Sequence, residues 1–463
     1  LLGFLGCAHV TSRVPVETPA IWVDASAAEP GDGSADRPFR TLTAALAPRA
    51  RIRIRTGMYE GPFSLPDDVA LEGQGNVVLF SERAPVTVKA TRAKFNDIFI
   101  QGGAVGLEVT EGVEASQLRL SGQRELGAVV RKGASLRMLD SSLDGTVPDI
   151  DGIVAEPGSS VTLKNVFVTG AFRRAINSVE AVVALDGARF LGSKEAVHGE
   201  RGTVTLENVT VAGGRGPAIF LAGATATLKR IEVQGHEYGL LAREVTLNLD
   251  GFHSARSQLA GLALVQAKAE LANITIEDSG SLAAIQLLQV LGSVREVEIK
   301  RAQAFGILWR DGAGSITRAK IYSVAAEGTS SSNQTGGDAL HLRGVDATVR
   351  GIDVRDAQGS GLFATMAAKV DVEDLSCNRC GYGVVLVERH ASVKAKQLKS
   401  AYTKVSALSV PDVGSLEVLD IDADSPPGTL VYAECSQGAK VTLHREGITG
   451  STWTNSPCIS VVE

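Results

Sequence analysis

The chain has 463 residues, 44% apolar and 21% charged, and its 46 Lys and Arg against 52 Asp and Glu leave a formal net charge of −6. That composition supports a sizeable buried core and excludes a wholly disordered chain, while the acidic balance argues against a general nucleic-acid binder. No stretch approaches the roughly 18 apolar residues that read as a membrane span, so a membrane link is expected to be peripheral or covalent. Glycine is enriched, at 50 residues or about 11% against a usual 7%, and aromatics are only 5%. Such proportions point to glycine used at regular turns.

The first residues read Leu1-Leu-Gly-Phe-Leu-Gly-Cys7-Ala8, like the tail of an apolar export segment. This run resembles the lipobox of bacterial lipoproteins, in which the Cys after a small residue receives a diacylglycerol. Cys7 after Gly6 matches that position, and Phe4 stands where the box usually carries Leu. The resemblance implies lipidation of Cys7 and, with Ala8 instead of Asp next, an outer-membrane address. Pro15 and Pro19 interrupt a stretch poor in core residues, so residues 1–19 read as signal remnant and tether.

Residues 20–80 carry Ile21-Trp-Val-Asp24, Gly31-Asp-Gly-Ser34, Arg37-Pro-Phe39 leading into Leu42 to Leu46, Gly57-Met-Tyr-Glu60 and Leu71-Glu-Gly-Gln-Gly75. The segment resembles the leader of pectin-lyase-like β-helix proteins, where a strand, an Asp-Gly-Ser turn and a short amphipathic helix form an N-terminal cap before the first coils. An open β-helix end exposes apolar core and unpaired strand edges, which is the physical need such a cap answers.

From Gly106 onward a small residue followed by apolar residues recurs, as in Gly106-Leu-Glu-Val109, Gly152-Ile-Val-Ala155, Ala175-Ile-Asn177, Ala196-Val-His198, Ala218-Ile-Phe-Leu221, Gly306-Ile-Leu-Trp309, Ala339-Leu-His-Leu342 and Gly383-Val-Val-Leu386. Successive anchors lie 21 to 25 residues apart with one exception of 33. Between them run alternating segments such as Val204-Thr-Leu-Glu-Asn-Val-Thr-Val211, whose period of two and β-branched content mean strand. No single repeat can bury its apolar face, so the repeats must stack. Neither a leucine-rich framework nor a four-stranded propeller blade fits the spacing. The fold expected is all-β, a right-handed parallel β-helix of about 22 residues per coil over residues 81–463. Fifteen anchored coils at about 4.8 Å each give a rod of roughly 70 Å. The long interval holds a polar insertion at 327–338, readable either as a binding flap or as a tolerated surface loop.

Cys435 and Cys458 are 23 residues apart, one period, and should stack within disulfide reach, while Cys377 and Cys380 can close a local loop. A second closely spaced pair, which a zinc site would need, is missing, so no metal site is expected.

Chemistry on this fold must come from residues that stacking brings together. Counted from Ile153, Ile176 and Val197, the position two before holds Asp151, Arg174 and Glu195, and the position one after holds Val154, Asn177 and His198. Arg173, Lys194 and Asp149 lie beside them. Such a set has acids able to hold a cation or sugar hydroxyls and Arg or His able to move a proton, with Asp151, Arg174, Glu195 and His198 as candidate catalytic residues and Asp149, Arg173, Asn177 and Lys194 as candidate ligand contacts. The ordinary alternative is a ladder of neutralising charges on a solvated face. Polysaccharide lyases of the resembled superfamily use acids, calcium and an Arg or Lys base, so Ca2+ is expected only if the protein is a lyase. The polygalacturonase and alginate-epimerase motifs of that superfamily are absent as sets.

The remaining histidines do not converge: His341 shares the position of His198 six coils away, and His236, His253, His390 and His444 are read as ordinary surface or turn residues. One further stripe, Phe220, Leu241, Ala263, Gln286, Leu308, His341, Phe363 and Val385, follows the anchors. Strict alternation turns it outward as an association surface; a shifted parity, which we favour, places it in the core and turns Trp309 and Leu342 outward. The reading preferred overall is a noncatalytic, exported cell-envelope scaffold that binds a glycan or an envelope protein. The alternative is a lyase or glycoside hydrolase acting on an acidic polysaccharide.

Overall fold

The structure, a computed structural model, describes residues 19–326, 336–424, 430–444, 448–450 and 456–462. Cys7 and residues 327–335 of the insertion lie outside the described residues. Every strand pairing is parallel, each strand lying beside its counterpart one coil earlier and one coil later, so the chain winds as a parallel β-solenoid of about 22 residues per coil. The coil from Ala260 shows the plan. Strand Ala260–Val265 is followed by strand Lys268–Glu277, which bends at Asn273, and the path closes through 278–282 into Ala283–Leu288.

Residues in left-handed conformation mark the corners, three in each of many coils. In this coil they are Gln266, Asn273 and Asp278, with φ of 52°, 54° and 54°. The expected Gly serves many corners, and Asn and Asp serve others, but so do Arg, Gln and Glu, among them Arg230, Glu244 and Arg301. A Cβ in that region costs roughly 1 kcal/mol or more, and hydrogen bonds between stacked coils offset it. Asn165, Asn208 and Asn273 donate Nδ2–H to Asp140, Asp186 and Asp250 at 3.0, 2.8 and 2.6 Å. Arg301 and Arg379 reach back to Asp278 and Asp356 in the same way.

The interior is one continuous apolar cluster from Val23 to Leu443. Its N-terminal end is covered by strand Ile21–Val23 and the single turn of helix Leu42–Ala45, with Thr41 Oγ1 accepting the Ala44 N–H and Leu42 and Ala45 facing inward. This agrees with the cap expected from the sequence. Among the described residues no helix is long and apolar enough to cross a membrane. Both cysteine pairs are disulfides, with Cα separations of 6.1 Å for Cys377–Cys380 and 5.3 Å for Cys435–Cys458.

Three expectations need correction. Trp309 and Leu342 are fully buried in the core, so the stripe following the anchors has the outward parity and the shifted alternative is wrong. Val385 does not belong to that stripe: it pairs with Leu362 in the core, and Leu386 takes the outer position above Phe363. Left-handed Gly383 (φ 115°) begins this strand, and the register runs one residue later than a fixed small-residue anchor implies. Third, the insertion ends before Asp338, which opens strand Asp338–Ala357 and is wholly buried.

Trp309 also donates its indole N–H to the Val290 carbonyl at 3.2 Å. Trp309→Ala should therefore lower stability by about 3–5 kcal/mol, read as a fall in the denaturant midpoint; an unchanged midpoint would contradict its place in the core.

Candidate functional site

Parallel stacking brings together the residues that the anchors had aligned. Asp151 pairs with Arg174 and Arg174 with Glu195, while Val154, Asn177 and His198 form the neighbouring outward column. The expected cluster is thus assembled by three consecutive strands, Asp151–Ala155, Arg174–Val179 and Glu195–Glu200.

Its hydrogen bonds are largely closed on themselves. The Asp151 side chain is only 3% exposed and accepts from Arg173 through Nε and Nη2 at 2.9 and 2.8 Å, and from Asn177 Nδ2 at 2.8 Å. These contacts hold the Arg173 guanidinium above its ordinary value, the Asp151 hydrogen bond contributing most. Glu195 lies 3.6 Å from Arg174 Nε and 2.6 Å from His198 Nδ1. The other His198 nitrogen, Nε2, is 3.0 Å from Glu200. Lys194 pairs with Asp149 at 2.6 Å on the rim. Asn177 Oδ1 is buried without a hydrogen-bond partner.

Three N–H groups converge on the Asp151 carboxylate and a carboxylate oxygen faces each nitrogen of His198, whereas Arg174 Nε is buried without a hydrogen-bond partner. Among the described residues no group of three or more His, Cys, Asp and Glu side chains is placed to hold a metal ion.

Glu200 and Arg243, which the sequence reading did not single out, and Phe220, which it placed in the outer stripe, complete the site. Glu200 ties down His198; Phe220, one coil on, stacks on the imidazole with centroids 4.7 Å apart at 22°; and the Arg243 guanidinium lies 5.5 Å above Phe220. Phe220 and Arg243 follow at fixed coil offsets, so alignment could have found both. The role of Glu200 depends on side-chain direction, which alignment does not carry.

The other histidines separate clearly. His253 and His390 are exposed and His444 lies 3.4 Å from Glu417, as surface residues do. His236 corrects the expectation: it is fully buried, its Nδ1 is 3.3 Å from the Gly216 carbonyl, its Nε2 has no partner, and burial pushes its pKa down. His341 lies in the same outward column as His198, on Asp338. Two shallow grooves lie elsewhere, one lined by Arg256, Gln258, Asp278 and Arg301, the other by Glu72, Lys94, Glu114 and Arg137.

No family model matches the chain, and no curated protein matches it. Among solved structures it aligns with the gp42 tailspike of an Acinetobacter phage at 12% identity and a TM-score of 0.28, over 95% of this chain and 67% of the tailspike. It aligns with the catalytic domain of a GH87 alpha-1,3-glucanase solved with tetrasaccharides at 12% identity and 0.28, over 89% of this chain and 64% of that one. The surface adhesin PfbA of Streptococcus pneumoniae gives 8% identity and 0.28, over 82% and 85%. The chain thus spans about two thirds of the tailspike and of the glucanase domain. Likeness at these scores carries no argument about the site.

The Glu200 carboxyl is held below its ordinary value of 4.5, chiefly by the His198 hydrogen bond. A depressed folded-state pKa gives stability that is complete above the unfolded value and lost as pH falls through the folded one. The melting temperature should therefore drop as pH falls below about 4.5, and Glu200→Gln should remove part of that dependence in a pH series of melting curves.

Proposed function

We propose that the protein is a noncatalytic, exported glycan-binding rod of the cell envelope, tethered through a lipid on Cys7 and directed to the outer membrane. The observation that carries this reading is the outward column of the anchor strands, a largely apolar stripe that includes His198, Phe220, His341 and Phe363 and has charged groups in the columns beside it. Phe220 stacks on His198 beneath Arg243, and farther along Phe305 and Phe363 flank His341. Rings present flat apolar area to the C–H faces of a sugar, and the carboxylates and guanidinium groups beside them suit its hydroxyls.

Two further features support it. Asp151, Arg173, Asn177, Glu195, His198 and Glu200 bond one another, which suits a preorganised binding face, while Arg174 Nε and Asn177 Oδ1 are left without partners. The two disulfides are cross-links that persist in oxidising compartments outside the cytosol.

Offered a panel of acidic and neutral polysaccharides with calcium, the protein is expected to retain at least one of them without releasing unsaturated products or new reducing ends. Turnover that disappears in Arg174→Ala would overturn the reading in favour of an enzyme acting on an acidic polysaccharide.

A further inference from the structure

The pairing of an acid with a histidine three residues later occurs twice in the outward face. Asp338 and His341 occupy the coil positions that Glu195 and His198 occupy: Asp338 lies beside Phe305, and His341 sits between Leu308 and Phe363. Asp338 is wholly buried, and its two oxygens accept from the Ser360 backbone N–H at 2.7 Å and meet His341 Nδ1 at 3.0 Å. A side chain at Gly359 would collide with the Asp338 carboxylate, so glycine there makes room for it.

One difference between the two sites lies in the column of Glu200. Glu200, which binds His198 Nε2, is followed coil by coil by Ala222, Arg243, Val265, Leu288, Arg310 and Arg343. The position that closes the first imidazole with a carboxylate therefore holds Arg343 beside the second. His341 Nε2 makes no hydrogen bond among the described residues, and the side chain remains 12% exposed. A carboxylate can only accept, so Asp338 fixes Nδ1 as the donor and leaves a lone pair on Nε2. Phe305 and Phe363 hold the ring from two sides, each 4.7 Å from it between centroids, at 63° and 86°. This is an oriented acceptor walled by apolar rings.

We propose that His341 is the hydroxyl-recognising residue of a saccharide subsite, Nε2 accepting a hydrogen bond from a sugar O–H while the partly exposed Phe305 borders the sugar ring and the buried Phe363 backs the imidazole. The inference rests on the glycan-binding reading and assigns it a position. Asp338 acts here as a positioning residue.

The test uses the full chain on immobilised starch, dextran, xylan, alginate and pectate. With a polysaccharide that the wild type retains, His341→Ala is expected to weaken binding about tenfold, the scale of one lost hydrogen bond. Asp338→Asn, which offers an N–H to Nδ1 and so turns Nε2 into a donor, should weaken it similarly although His341 is still present. Selective 15N labelling of histidine should show the Nδ1–H tautomer at His341 in the wild type, the Nε2–H tautomer in Asp338→Asn, and a wild-type His341 shift when polysaccharide is added. His341→Gln serves in place of the alanine variant if that one fails to fold. Retention unchanged in folded variants would overturn the subsite and leave the glycan-binding reading standing. No retention of any polysaccharide by the wild type would overturn both.

Discussion

Stacking one coil on the next at the spacing of paired strands governs everything else in this molecule. A position in one coil faces its equivalents above and below at about 4.8 Å, so each column behaves as a ladder and a residue is judged by its two ladder neighbours. Apolar columns fuse into a single core from Val23 to Leu443. Corner columns stay in the left-handed region, where Asn-to-Asp and Arg-to-Asp bonds between coils hold them.

The same constraint makes charge clusters ordinary here. Like charges on adjacent rungs repel and opposite ones attract, so a viable rod carries alternating columns. Asp151, Arg174 and Glu195 form one, Arg53 with Glu72 another, and Arg350 with Glu373 a third. Exposed pairs of this kind contribute little stability individually. Proximity of acids, Arg and His is therefore weak support for catalysis on this fold. A polar group that the ladder leaves open is the more telling feature.

What the sequence made legible follows from the constancy of the period. Where coils keep 21 to 25 residues, alignment on small anchors reproduced the true register from Asp151 to His198 and the stacking of Cys435 on Cys458. At Gly383 the anchor slipped by one residue and Val385 was assigned to the wrong face. Parity of the outer stripe was misjudged because apolar residues such as Phe220 and Leu308 occupy an outward column, and hydrophobicity alone assigns them inward. Asp338 was read as part of a polar insertion because Gly336 and Gly337 precede it, although its offset from His341 equals that of Glu195 from His198. Hydrogen-bond closure at His198 depends on the direction of the Glu200 side chain, which no periodicity encodes.

Comparison of the two acid–histidine pairs shows how a repeat architecture can differentiate a site with few changes. Both pairs inherit their geometry from the coil, the acid two residues before the core anchor and the histidine one after it. Stacked or edge-on aromatic neighbours hold both rings. With Glu200 present, the imidazole has carboxylates at both nitrogens and its hydrogen bonds become part of the wall. With Arg343 in that column, one nitrogen stays open. The backbone register is common to the two, so the difference in chemistry lies in the side chains and requires no change in the fold.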